Sequence, residues 1–294
     1  MNEHRLGSAL CIASAVAFGA MAVFGKLAYE AGVGILTLLF VRFTIAAAIL
    51  WAAAGRRRNG LARAGRNAVT AALALGAFGY AMQAGLYFAA LERMDASLLS
   101  LLLYTYPALV TVAAIGLRRE TPSRRRVGAL LVSSGGLALV LLGAGGGSLD
   151  TLGALLGLGA AVAYTGYILV SDRVVGRLEP LTLAALVTTG AAVTFGVVGI
   201  VTGSLETRFD NQGWLWIGAM AVISTVTAIA LFLAGLRRVG PSMAAILSTL
   251  EPPTTVALAF LAFGESLTAV QLLGGALVLA AVVLLHAGPR TQPI

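Results

Sequence analysis

The sequence has 294 residues, of which 59% are hydrophobic and only 11% are charged, and its mean hydropathy is +0.93. A soluble domain carries far more charge on its surface, so this composition excludes an ordinary soluble protein and predicts an integral membrane protein. The net charge of +8 would indicate nucleic-acid binding in a soluble protein. Here membrane topology explains that charge better, and no nucleic-acid partner is predicted.

Ten apolar stretches are each long enough to cross a bilayer as a helix, which takes about 20 residues. A β-barrel is disfavoured, because barrel strands are much shorter and alternate between polar and apolar residues. The sequence therefore predicts an all-α membrane protein with ten transmembrane helices, short connections and no room for a separate soluble domain. The predicted spans are 7–28, 34–54, 68–91, 96–117, 127–143, 152–172, 181–203, 213–235, 241–263 and 268–287.

The basic residues are distributed unevenly between the two sides of these spans. The alternate set of loops holds only Arg93 and Arg208. The other set holds sixteen Lys and Arg residues, which lie at the N-terminus and in 56–66, 118–126, 173–177, 237–238 and the C-terminus. By the positive-inside rule, both termini are predicted to lie in the cytoplasm.

The second half of the chain repeats the first at an offset of about 145 residues. The segment Leu86–Ser97 aligns with Leu231–Ser242, with five of the twelve positions identical. The same offset aligns Pro107 with Pro252, and Glu120 with Glu265. Five helices per half give the halves opposite orientations, an arrangement found in many secondary transporters. We expect a first repeat at 1–143, a glycine-rich linker at 144–151 and a second repeat at 152–294.

Several short motifs, together with the 5+5 repeat, resemble the drug/metabolite transporter superfamily in its ten-helix EamA-type branch. The motifs are Val41-Arg42-Phe43, Tyr106-Pro107 with Arg119-Glu120, Leu250–Pro253, and Phe263–Ser266. The resemblance covers nearly the whole chain and implies a multi-pass protein of the bacterial inner membrane that exports small metabolites or drugs. Within the branch, the chain looks most like the YddG-type exporters, which implies aromatic amino acids as substrates.

Two ionisable residues are predicted to lie near the middle of the bilayer. At 1.5 Å per residue, Glu251 is roughly 15 Å from the cytoplasmic edge and Arg42 roughly 12 Å from the outer edge. Charged groups at this depth face a cavity or a partner, and they indicate a functional site. They could bind the two charged groups of a zwitterionic amino acid, or they could form a structural ion pair. By contrast, Lys26 is expected to extend to the outer interface, and Glu120 and Glu265 are expected to be structural.

Proton coupling, if present, has one obvious carrier in the apolar interior. Of the two histidines, His4 precedes the first span and His286 lies at the end of the last one, so a histidine relay is not expected. Glu251 is the only deep acid. It is followed by Pro252 and Pro253, which, like Pro107 in the first half, are predicted to kink their helices because proline lacks an N–H.

Aromatic and polar residues recur at helical spacing on inward faces of the predicted spans. Such residues can pack helices together, or they can line a cavity that suits an aromatic or amphipathic ligand. The same two roles, helix packing or cavity lining, are open to three hydroxyl residues of the eighth span, Ser224, Thr225 and Thr227. The candidate substrate-binding residues besides Glu251 and Arg42 are Tyr80, Gln83, Tyr87, Tyr104, Tyr164 and Tyr167.

A secondary transporter with alternating access, active as a monomer, is the function that this sequence predicts. The chain has neither a Walker motif nor a catalytic or metal-binding set, so an enzyme and a cofactor are not expected. A multidrug or cationic-compound exporter and a nucleotide-sugar carrier remain alternatives, although several buried cations would be expected for the latter. If the protein is not a carrier, the alternative is a passive channel or a membrane scaffold.

Overall fold

The computed structural model describes residues 3–55, 65–118, 123–143, 150–175 and 178–286. These residues form ten helices and no β-strand, which confirms the all-α prediction. The helices are α1 (Glu3–Glu30), α2 (Ile35–Gly55), α3 (Gly65–Leu91), α4 (Ala96–Gly116), α5 (Arg124–Gly143), α6 (Thr151–Val175), α7 (Pro180–Thr202), α8 (Asn211–Gly240), α9 (Met243–Phe263) and α10 (Ala269–His286).

Eight of these helices are long and apolar enough to cross a membrane, all except α5 and α10. Within those two, shorter apolar helical stretches cover Val127–Gly143 and Ala269–Leu284. Each of the ten helices coincides with one predicted span to within a few residues. Most of the predicted linker 144–151 lies outside the described residues, and so does Glu120.

Helices α4 and α9 are each interrupted near their middle. Regular α4 stops at Leu103 and resumes at Tyr106, while α9 stops at Ser248 and resumes at Glu251. A proline occupies one of the first two positions of each resumed segment, where its missing N–H would have no helical acceptor anyway. The prolines therefore begin new helical segments, and the interruption precedes them.

Helices α3 and α8 share a second irregularity, a single stretch of π-helix. It covers Leu75–Tyr80 in α3 and Val222–Thr227 in α8. The two stretches occupy nearly equivalent positions of the sequence repeat. Short π-helical turns are rare and are found frequently at functional sites.

Glycines allow several helices to approach within backbone contact. Where α5 crosses α10, a Cβ atom on Gly136 would lie 2.6 Å from the carbonyl oxygen of Gly274, and one on Gly274 would lie 2.6 Å from that of Gly136. The contact is reciprocal, so neither glycine can be replaced by a larger residue without displacing the other helix. Small residues at such crossings are typical of membrane helices.

Candidate functional site

A central cavity of about 120 Å³ lies among helices from both halves of the chain. Fifteen of the described residues line it, and seven of these are aromatic, although aromatic residues make up only 7% of the chain. The lining also contains one cation and one carboxyl group, together with uncharged polar residues. The lining residues are Phe18, Met21, Arg42, Tyr80, Gln83, Ala84, Tyr87, Phe88, Ser100, Leu103, Tyr104, Tyr106, Tyr164, Glu251 and Thr255.

Glu251 reaches this cavity because it is the first residue of the resumed segment of α9. The Tyr104 hydroxyl, from the interruption of α4, lies 3.0 Å from Glu251 Oε2. The same hydroxyl lies 2.5 Å from the backbone carbonyl oxygen of Ser248. The interruptions of the two repeats therefore meet at one side of the cavity.

Arg42 is 1% exposed and is held by neutral groups. Its Nε donates to the Thr225 hydroxyl at 3.0 Å, and one Nη2 hydrogen points to the Met21 sulfur at 3.2 Å. The guanidinium also lies over the rings of Phe43 and Phe88, at 4.8 and 5.4 Å from their centroids. Such cation–π contacts stabilise a buried cation in part.

The π-helical turn of α8 positions the partner of Arg42. The Thr225 hydroxyl donates to the Met220 carbonyl at 3.0 Å, five residues earlier, and accepts from Arg42. Among the residues that the structure describes, no ion pair joins Arg42 to Glu251. Both residues line the same cavity, and they are not within ion-pair distance of each other.

Most of the other predicted site residues also line the cavity. Tyr80, Gln83 and Tyr87 reach it from α3, and Tyr164 reaches it from α6. Tyr167 does not line it. Its ring lies behind the lining, 5.5 Å from the ring of Tyr80 and 5.9 Å from that of Tyr164.

Sequence reasoning missed several lining residues, most notably Tyr106. Its ring lies 4.6 Å from that of Tyr164 and 5.9 Å from that of Tyr104. The repeat alignment contained the signal, because Tyr106 is the counterpart of Glu251. Phe88 was also detectable, since it follows Ala84 by one helical turn on the face that carries Tyr80. The apolar residues Phe18 and Met21 of α1 carry no such signal.

At the predicted outer end of the site, the two halves contact each other through Lys26, Ser97 and Glu265, which we call the outer lock. Lys26, which the sequence predicted to extend to the outer interface, donates from Nζ to Glu265 Oε1 at 2.6 Å. Glu265 also accepts from the backbone N–H groups of Ala96 and Ser97, at 3.1 and 3.0 Å, and from the Ser97 hydroxyl at 2.8 Å. The carboxylate thus caps the N-terminus of α4, where negative charge is favourable.

Comparison with known proteins identifies the family. The model of the EamA-like transporter family matches the chain twice, over residues 5–142 and 151–287. An uncharacterized transporter of Archaeoglobus fulgidus is 28% identical over 95% of this chain and 96% of its own length. The uncharacterized transporter YcbK of Bacillus subtilis is 25% identical, over 93% of this chain and 90% of its own.

A solved structure titled only as the crystal structure of a protein has the same fold. Its TM-score is 0.66, and the match covers 95% of this chain and 96% of that one, at 19% identity. This likeness concerns the fold alone. The family match over both halves shows that the chain belongs to the EamA-like transporter family and is a membrane transporter.

Proposed function

We propose that the protein is a secondary transporter that exports amino acids, with aromatic amino acids favoured, across a bacterial cytoplasmic membrane. One observation carries the proposal: a cavity lined largely by aromatic rings contains one buried cation, Arg42, and one carboxyl group, Glu251, that are not paired with each other. A zwitterion with an aromatic side chain complements all three features. This substrate class also agrees with the resemblance to YddG-type exporters.

Alternating access is the transport mode that we propose for this cavity. The two separate family matches support division of the chain into a first repeat at 1–143 and a second at 152–294, joined by the linker 144–151. Two similar halves in opposite orientation can rock around a site at their interface. The lining residues come from both halves, as this mode requires, and one chain contains the whole site, which supports a functional monomer.

The alternative substrates differ in charge from a zwitterion. A nucleotide sugar carries at least two negative charges, and among the described residues that line the cavity Arg42 is the only cation. A cationic drug could bind Glu251 and the aromatic rings, but it would leave Arg42 without an anion. An amino acid is therefore the class that uses both Arg42 and Glu251.

Uptake and competition in proteoliposomes test this proposal. We expect saturable uptake and counterflow of labelled L-phenylalanine, with competition by aromatic amino acids but not by nucleotide sugars. Competition by quaternary amines alone would favour a multidrug exporter, and flux that never saturates would favour a channel. Either outcome overturns the proposal.

Two variants test the roles of the charged residues. Arg42→Gln is expected to weaken binding of L-phenylalanine at least tenfold but to change binding of phenethylamine little, because that amine lacks the carboxylate. Glu251→Gln is expected to retain folding, measured by size-exclusion chromatography, and to lose most transport. Normal transport by a well-folded Glu251→Gln variant would remove Glu251 from the site.

A further inference from the structure

The hydrogen bonds around Tyr104 constrain the protonation of Glu251. In a regular helix, the N–H of residue 252 would donate to the carbonyl of residue 248. Pro252 has no N–H, so the Ser248 carbonyl lacks that partner. The Tyr104 hydroxyl fills the place of the missing donor, at 2.5 Å from the Ser248 oxygen.

A tyrosine hydroxyl has a single hydrogen to donate. The Ser248 carbonyl can only accept, so the short contact with it uses that hydrogen. Glu251 Oε2 lies 3.0 Å from the same hydroxyl oxygen. If the carboxyl were ionised, two acceptors would face each other at this distance, whereas a protonated carboxyl can donate to the tyrosine oxygen.

We propose that Glu251 carries a proton in this conformation, which completes a chain of hydrogen bonds from Glu251 through Tyr104 to Ser248. When the proton leaves Oε2 for water in the cavity, the carboxyl becomes an anion and can no longer donate. The Tyr104 hydrogen then turns to Glu251, and the Ser248 carbonyl loses its donor. Proton release is thereby linked to the interruption of α9.

In the described part of the chain, no second carboxyl group that could hold this proton lines the cavity. The titratable or charged groups that line it besides Glu251 are Tyr104 and Tyr106 from α4, Tyr164 from α6, Tyr80 and Tyr87 from α3, and Arg42 from α2. From α1, the lining residues are Phe18 and Met21, which do not titrate. Among these described residues, Glu251 is thus the only one whose ordinary pKa lies near or below neutral pH.

The inference rests on the proposed function and adds proton exchange to it. The ammonium group of an amino acid is best bound by an ionised carboxylate, so substrate and proton compete for Glu251. Competition for one group gives exchange: substrate bound from one side displaces a proton, and a proton from the other side displaces the substrate. The hydrogen bond from Tyr104 lets the backbone of α9 respond to which of them is bound.

Infrared spectroscopy of the purified protein in lipid tests the protonation without any substrate. We expect the C=O band of a protonated carboxylic acid at neutral pH, its loss in Glu251→Gln, and its retention in the matched carboxyl control Glu265→Gln. In Tyr104→Phe the band should move to higher frequency, because the acid loses its hydrogen-bond acceptor. The band shift in Tyr104→Phe tests the assignment of the proton to Glu251 even if Glu251→Gln does not fold.

Absence of the band from the folded wild-type protein at neutral pH would overturn the inference, as would its persistence in folded Glu251→Gln. A second measurement separates this inference from the identity of the substrate. Addition of L-phenylalanine to protein in weakly buffered solution should release up to one proton per chain, read with a pH indicator. A Glu251-dependent band without this release would support the proton site and contradict the amino-acid proposal.

Discussion

At the scale of single residues, two glutamates of the second half, Glu251 and Glu265, have opposite surroundings. Glu265 is paired with Lys26 and accepts hydrogen bonds from the N-terminus of α4. Glu251 faces tyrosines, and among the described residues no cation lies within ion-pair distance of it. The first arrangement favours a carboxylate, and the second favours a neutral acid. The difference explains why we assign a structural contact between the halves to Glu265 and proton binding to Glu251.

The stability of the outer lock is expected to depend on pH. Burial alone would raise the pKa of Glu265, but hydrogen bonds from Lys26 and Ser97 and the charge of Lys26 hold it below its ordinary value. A lowered pKa in the folded state stabilises the fold above the ordinary pKa of glutamate, about 4.3. That stabilisation is lost as the pH falls through the lowered value.

Thermal unfolding of wild type and Glu265→Gln measures this contribution. Wild type should be the more stable protein at pH 7, and the difference should shrink progressively below about pH 4.3. A difference that does not change with pH would show that the ionised form of Glu265 does not stabilise the fold. Glu206→Gln, at an outer loop position, serves as the control, because its carboxylate has no described ion pair.

Sequence reasoning reached the residues that lie deep in the membrane but not their partners. Hydropathy and depth singled out Arg42 and Glu251, since an apolar span makes any ionisable residue conspicuous. Arg42 contacts Thr225, and Lys26 contacts Glu265, 183 and 239 residues away in the sequence. Such partners depend on how the helices cross, and the π-helical turn that places Thr225 has no local sequence motif.

At the scale of the helices, close contact between glycines is expected to limit substitution sharply. Gly136 lies against the backbone of α10, whereas its neighbour Gly135 has no atom within 4 Å of the position of an added Cβ. Gly136→Val should therefore destabilise the protein by about 1–3 kcal/mol, because a forced side chain displaces the facing backbone. Thermal unfolding in detergent measures the effect.

Gly135→Val is the matched control, since it adds the same side chain one residue away. We expect its melting temperature to stay close to that of wild type. Equal losses in the two variants would indicate a general effect of valine on α5 rather than a contact with α10. The positions of the helices could be predicted from the sequence, because they follow from local hydropathy. The crossing of α5 and α10 could not be predicted, because it depends on how distant helices pack.

At the scale of the whole molecule, the charges of the loops predict how the protein sits in the membrane. Both termini are expected on the cytoplasmic side, which places the outer lock and the loop between α7 and α8 on the opposite side. In this orientation, the segment of α9 that precedes its interruption lies toward the cytoplasm, and the segment that begins with Glu251 leads toward the outer lock.

Reporter fusions test this orientation directly. Green fluorescent protein at the C-terminus should fluoresce, because it folds in the cytoplasm, and alkaline phosphatase fused after Glu206 should be active, because it requires the oxidising outer side. The reverse pair, alkaline phosphatase at the C-terminus and green fluorescent protein after Glu206, should be inactive. Activity of the reversed pair would show that the chain has the opposite topology.

The π-helical turns of α3 and α8 have a consequence for the history of the chain. The same irregularity stands at nearly equivalent places in the two halves, so an ancestral five-helix unit that already contained it accounts for both copies. The interruptions of α4 and α9 are likewise shared by both halves and are explained by the same ancestral unit. The acid is not shared, since Glu251 corresponds to Tyr106 in the first half. In this ancestry the shape of the site preceded duplication, and the divergence of one copy supplied its charge.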